Sequence, residues 1–149
     1  MKDLKLVIKS TAELTSAELL MILKERTRVF VVEQHCPYQE VDDQDDEACH
    51  VMLQDHGQLV AYTRIIKHLD GINMSFGRVL VVMAYRGQQL GRQIVAETIK
   101  VLRQQFPGAP IKIAAQSRLR DFYGSFGFRP VSDVYLEDDI PHIDMLLEN

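Results

Sequence analysis

The sequence predicts an α/β fold, a central mixed β-sheet flanked by helices, on three observations. Two short turn signals, Asp55-His56-Gly57-Gln58 and Asp70-Gly71, divide apolar stretches into a three-strand meander. A segment carrying Leu90, Ile94, Val95, Ile99 and Leu102 on one helical face follows a buried strand. A wholly apolar run, Ile111 to Ala115, comes directly after that helix, so a strand-helix-strand crossover makes the middle of the sheet parallel.

Lys5 to Lys9 reads as the first strand, and Met1-Lys2-Asp3 leads into it. Thr15 with Glu18 three positions later is a capping-box signature, because hydroxyl and carboxylate each satisfy an amide that a helix start leaves unpaired. A helix follows from about Ser16 to Val32, with Leu19, Leu20, Leu23 and Phe30 as its apolar face. Between Cys36 and Glu47 the chain has Pro37, Tyr38 and the acidic run Glu40 to Glu47 without apolar periodicity, which predicts a loop. The meander strands are His50 to Gln54, Leu59 to Lys67 and Met74 to Met83. Pro107-Gly108 ends the second helix. Ser117 is the predicted N-cap of a third helix carrying Leu119, Phe122 and Phe126 and closed by Gly127 in a left-handed conformation. Phe128 to Tyr135 and Ile143 to Leu147 read as the last two strands. No repeat interrupts this order, and residues 1–149 read as one domain.

Seventeen basic against 21 acidic residues give a net charge of −4, with no long basic stripe, which argues against affinity for nucleic acid. The longest apolar runs are far too short to span a bilayer, and the first residues lack a signal-peptide core, so a cytoplasmic protein is expected. Cys36 and Cys49 read as free thiols. His35-Cys36 and Cys49-His50 lack the spacing of a zinc site, and Asp42 to Glu47 lacks the internal glycine of a calcium loop, so no metal is expected.

The chemistry points to the junction between Val79-Leu80-Val81-Val82-Met83 and the second helix. A helix start offers unpaired amides and a partial positive charge, and Gly87 and Gly91 let a phosphate approach the main chain closely. Arg86, at the mouth of the turn, adds a planar, permanently charged donor suited to phosphate.

The stretch Arg86-Gly87-Gln88-Gln89-Leu90-Gly91 resembles the acyl-CoA motif of the GCN5-related N-acetyltransferase (GNAT) superfamily, with Gln89 where a glycine is usual. The segment Gln116 to Phe128, with Phe122-Tyr123 and Gly127-Phe128, is similar to that superfamily's second motif, with Gln116 at an Asn position and Leu119 at an Ala position. Arg26 to Gln34, Cys36-Pro37-Tyr38 and Asp139 to Ile143 resemble its small ElaA-like branch. The resemblance implies a GNAT-like fold and direct transfer of an acetyl group from acetyl-CoA to a primary amine. By the same resemblance, Val81, Val82 and Met83 pair with the pantetheine arm, Arg86 to Gly91 hold the pyrophosphate, Gln116 orients the pantetheine, and Tyr123 sits beside the departing sulfur as general acid.

A base is also required, since an alkylammonium must lose a proton before it can attack. Glu33 at the end of the first helix, His142 and His50 are the candidates, and the residues leave the choice open. The acidic run reads either as a solvated surface or as a funnel for a cationic acceptor. Tyr123 reads either as a catalytic group or as a buried ring, and Phe122, Phe126 and Phe128 as core. Two rival functions stand beside acetyl transfer. One is an acyl-homoserine-lactone synthase, whose Arg-x-x-Val-Phe start resembles Arg26 to Phe30, although this chain lacks tryptophan and is short for that family; the other is a non-catalytic acyl-CoA sensor. A sheet edge leaves a homodimer open, with no residue to fix it.

Overall fold

The computed structural model describes residues 3–148, so Met1 and Lys2 of the expected lead-in lie outside the described residues. The strands are β1 Lys5–Ser10, β2 Cys49–Asp55, β3 Gln58–Lys67, β4 Met74–Val81, β5 Ile111–Gln116, β6 Arg129–Pro130, β7 Tyr135–Glu137 and β8 Ile140–Leu147. The helices are α1 Ser16–Thr27, α2 Leu90–Gln105 and α3 Arg120–Gly124. One sheet runs in the order β1-β2-β3-β4-β5-β8-β6, with β7 pairing β8 off that path. β4 and β5 are parallel and the other neighbours antiparallel.

Alternation along the strands divides the core between the two faces of the sheet. Val51 and Leu53 of β2 pack with Ile94, Val95 and Leu102 of α2, whereas Met52 between them joins Ile22 of α1, Tyr62 and Leu80. The capping box forms: Thr15 Oγ1 accepts from the Glu18 amide at 3.1 Å, and Glu18 Oε1 accepts from the Thr15 amide at 2.9 Å. The α-helix stops short of Val32, because Arg28–Glu33 widens into a π-helical turn.

Four further expectations are corrected. β4 ends at Val81, since Met83–Tyr85 is a 3-10 turn and the Met83 side chain is exposed. Ser117 makes no capping bond and lies within a 3-10 turn, Ser117–Leu119, ahead of α3. Phe128 to Tyr135 is not one strand: Arg129 and Pro130 pair with β8, the Val131 amide adds one bond to Asp144 O at 2.8 Å and Ser132 Oγ accepts from the Asp144 amide at 2.9 Å, and regular pairing resumes only at Tyr135. β8 starts at Ile140 rather than Ile143, because Asp138 and Asp139, at φ 50° and 60°, turn the chain tightly back from Glu137. Gly127 does adopt positive φ (+102°), and a Cβ there would stand 3.1 Å from Leu147 Cδ1.

The acidic run is not simply a solvated surface: Glu40 and Asp45 are buried and Asp42 lines the cleft, while Asp43, Asp46 and Glu47 stay exposed. Arg26 of α1 is fully buried; its Nε donates to Glu40 Oε1 at 2.8 Å and its Nη1 to Asp45 Oδ1 at 2.7 Å. Arg64 of β3 donates to Asp42 Oδ1 at 2.7 Å, and Arg78 of β4 pairs with Glu40 and Asp42. The loop from Cys36 to Glu47 is thus anchored by charge where it lacks an apolar face. Burial works against the Asp45 carboxylate, but the hydrogen bond from Arg26, the Asp42 amide and the charges of Arg26 and Arg64 outweigh it and hold the group well below the usual carboxylate range.

Candidate active site

The site begins with a break in the sheet. Between β3 and β4 the register slips, so that Arg78 and Val79 together face Thr63, and Arg78 takes φ 51°. Such a bulge bends its strand. β4 and β5 share one register pair, Met74 with Ile111 at their first residues, and diverge beyond it. The gap is a cleft of about 990 Å³ that reaches from Val79 and Val81 on one wall to Ile113, Ala115 and Gln116 on the other.

Main-chain groups of β4 face this gap. The Val82 amide donates to Val60 O at 2.8 Å, which commits it to β3. Bonds alternate in direction along an antiparallel pair, so the amide and carbonyl of the preceding residue, Val81, point toward β5. Of the predicted pantetheine segment, Val81 alone therefore presents strand main chain to the cleft; Val82 is spent on β3, and Met83 belongs to the following turn.

That turn leads into the start of α2. Gly87 has φ +81° and Gln89, the residue before the helix, φ +64°. Gln89 thus occupies the left-handed region where the resembled motif carries glycine. The first α2 bond in the chain runs from the Gln93 amide to Gln89 O at 3.1 Å, and among the described residues no acceptor takes the amides of Leu90, Gly91 or Arg92. No side chain of the described residues bonds to them. A Cβ at Gly91 would meet only Val81 Cγ2, at 3.9 Å, and one at Gly87 nothing within 4 Å, so the space above the turn is open. Together with Gln88, this segment forms a main-chain cradle at the positive end of a 16-residue helix.

The structure brings Glu33, Arg86, Gln116, Tyr123 and His142 to the same cleft. Arg86 does not reach outward: its Nε donates to Val81 O at 3.0 Å and its Nη2 to Glu33 Oε1 at 2.8 Å. Tyr123 of α3 is buried among Phe76, Phe122 and Phe128, and its hydroxyl has no hydrogen-bond partner among the described residues. Burial, eased by the Arg118 charge, pushes this phenol up to about 12, so it keeps its proton at neutral pH. Gln116 Oε1 accepts from Arg118 Nε at 3.1 Å, and its amide nitrogen lies 3.5 Å from Gln34 Oε1. His142 stands opposite Gln116 across β5 and β8 and stacks on Tyr135. Its Nδ1 lies 2.7 Å from Ile140 O. A carbonyl can only accept, so Nδ1 carries a hydrogen, while Nε2 lies 3.5 Å from Glu137 Oε2.

His50 is corrected from candidate base to core residue. It is 1% exposed, away from the cleft, with Nδ1 2.5 Å from the Tyr62 hydroxyl and Nε2 2.8 Å from Thr11 Oγ1. Burial, with repulsion from Arg26 and Arg64, lowers its titration to about 4. Phe122, read as core, also lines the cleft, and Arg92 of α2 lies 5.6 Å from its ring centroid. Two cleft features escaped the sequence reading. The Arg78 bulge had a signal, since Gly77 inside a strand pattern marks such irregularities; Arg118, beside Tyr123 and Gln116, had none. Among the described residues, no three His, Cys, Asp or Glu side chains converge as metal ligands, and no helix is long and apolar enough to cross a membrane.

Comparison with known proteins agrees with this geometry. Residues 11–149 match the family described as "Acetyltransferase (GNAT) domain". The protein ElaA of Escherichia coli (strain K12) is 42% identical over 140 residues, covering 92% of each chain, and the crystal structure of Escherichia coli ElaA superimposes with a TM-score of 0.91 over 98% of this chain and 100% of that one. The crystal structure of an acyl-CoA N-acyltransferase from Pseudomonas aeruginosa is 42% identical, with a TM-score of 0.91 over 97% of this chain and 99% of that one. A CoA-dependent acyl-homoserine lactone synthase shares the fold alone, at 15% identity and a TM-score of 0.79 over 98% of this chain and 83% of its own. By the match over nearly its whole length and by the cleft just described, this chain belongs to the GNAT acetyltransferase family, as an ElaA-like member.

Proposed function

We propose that the protein transfers an acetyl group from acetyl-CoA directly to the primary amine of a small molecule or peptide. One observation carries the reading: the cleft-facing main chain of Val81 leads without a break to the open cradle of Gly87 to Arg92 at the start of α2. An extended chain carrying amides and ending in a diphosphate matches that layout. Acetyl-CoA supplies the activated acyl group and departs as a thiol.

The protein's own residues then have separable tasks. Val81 offers a strand edge to an amide-bearing arm, and the amides of Leu90, Gly91 and Arg92 hold phosphate oxygens, with Arg86 as their side-chain counter-ion. Gln116 orients the arm from the opposite wall through its amide. Tyr123, protonated and without a competing partner, donates to the leaving sulfur. His142 accepts the amine's proton through Nε2, with Nδ1–H fixed by the Ile140 carbonyl and the Glu137 carboxylate, 3.5 Å from Nε2, placed to stabilise the imidazolium that forms. Glu33, as the carboxylate on the α1 side, is the counter-ion for the ammonium before its proton leaves. A cationic acceptor is the reading that Glu33, with Glu137 and Asp138 also in the cleft lining, supports.

Calorimetry with CoA, followed by thiol release from acetyl-CoA across a panel of amines, tests the proposal. Binding with amine-dependent release is expected. Absence of heat with CoA ends the acyl-CoA reading, and binding without release to any amine replaces the enzyme by a sensor. Arg86→Glu is expected to weaken CoA affinity at least tenfold, as it reverses charge beside the phosphates.

A further inference from the structure

The sequence assigns Arg86 to the diphosphate and Glu33 to the amine, yet the structure joins the two at 2.8 Å. Arg86 also covers the Val81 carbonyl at 3.0 Å, the strand acceptor through which an amide-bearing arm would pair with β4. A single guanidinium thus withholds two groups of the site and points back along β4, away from the open amides of α2. The pair is incomplete as well: Glu33 Oε2 is buried and has no hydrogen-bond partner among the described residues. The π-helical turn Arg28–Glu33 delivers this carboxylate to the cleft.

We infer that Glu33 is an internal stand-in for the diphosphate: it holds Arg86 folded across Val81 until acyl-CoA draws the guanidinium away, and only then is its carboxylate released to a cationic amine. This rests on the acyl-CoA reading and adds to it an order of events. Both side chains of the pair keep some solvent contact, 41% for Arg86 and 25% for Glu33, so the contact is weak enough for a diphosphate to displace. Once Arg86 has moved, Glu33 is a partly buried carboxylate without its counter-ion, and an ammonium replaces what was lost. Occupation by the nucleotide therefore strengthens binding of the amine, and by reciprocity the amine strengthens binding of the nucleotide.

Calorimetric titration of the full chain with CoA, a non-reacting probe, separates this inference from the reading beneath it. Glu33→Gln keeps shape and hydrogen bonding but frees Arg86, and it is expected to tighten CoA binding about 3- to 10-fold. Glu33→Ala is expected to act in the same direction, which guards against an accident of one substitution. In a double-mutant cycle, Arg86→Ala is expected to cost more in the Glu33→Gln background than in the wild type by the same factor, because wild-type Arg86 must first leave Glu33. Unchanged or weaker CoA binding in both Glu33 variants, or an equal cost of Arg86→Ala in the two backgrounds, overturns the stand-in while leaving the acyl-CoA site intact. A wild-type chain that shows no heat with CoA overturns both.

Discussion

Tyr123 and His50 illustrate how little a residue's type says before its neighbours are known. Both are buried, but one has a hydroxyl at a cleft with no partner among the described residues and the other has both ring nitrogens committed. Tyr123→Phe is therefore expected to lower the rate of thiol release by 10²- to 10⁴-fold with little change in CoA affinity, as measured by steady-state kinetics beside calorimetry. Equal loss of both would mark a packing role. His50 is kept neutral by the fold, titrating near 4 instead of its ordinary 6.5. The unfolded chain thus takes up a proton that the folded chain refuses, so His50 contributes stability that is complete above about pH 6.5 and is lost as pH falls toward 4. Urea unfolding across that window is expected to lose about 3 kcal/mol from this group, a decline that His50→Gln should flatten. The motif residues Arg86, Gln116 and Tyr123 were legible because their neighbours in sequence frame them. Their partnerships were not: Glu33 meets Arg86 across 53 positions, and nothing local announces it.

At the scale of elements, legibility followed periodicity. The meander, α2 and β5 were readable because each buries a regular face; Phe128 to Tyr135 misled because its apolar residues share no strand: Phe128 precedes the two-residue β6, Val131 and Val134 lie between strands, and Tyr135 opens a separate hairpin arm. The π-helical widening of α1 and the Arg78 bulge are irregularities set by tertiary contacts, and propensity does not register them. The start of α2 yields a direct test. Gln89 holds a left-handed conformation that costs a side-chain-bearing residue about 1 kcal/mol relative to glycine. Gln89→Gly is expected to leave stability unchanged or raise it by up to about 1 kcal/mol in denaturant unfolding, with the cradle intact. A clear loss would show that the Gln89 side chain supports the turn by contacts that outweigh the conformational cost.

For the whole molecule, the charged network is the structural decision the sequence concealed. Arg26, Glu40, Asp42, Asp45, Arg64 and Arg78 come from α1, the following loop, β3 and β4, so one cluster ties the wall of the cleft to the sheet. Asp42 to Asp46 looked like a surface because only the negative half of the cluster is contiguous in the chain. Removing one partner strands buried charge: Arg26→Ala is expected to cost about 3–5 kcal/mol in urea unfolding, far more than neutralising the exposed Asp43 or Asp46. The network also sets acid sensitivity. Asp45, held below its unfolded value of about 4, contributes stability that is complete above that pH and is lost as pH falls through its lower folded value. Arg26→Ala should remove most of this second, more acidic decline and also narrow the His50 window, since Arg26 repels the His50 imidazolium.

The single shared register pair between β4 and β5 has a mechanical consequence. The sheet consists of two separately bonded ladders, β1 to β4 and β5 with β8, β6 and β7, joined at one end like the arms of tongs. A molecule that fits between the arms becomes the missing middle rung and braces both at once. Saturating CoA should then slow hydrogen–deuterium exchange at Val81 and along β5 together, including amides on the far arm that the molecule itself never touches.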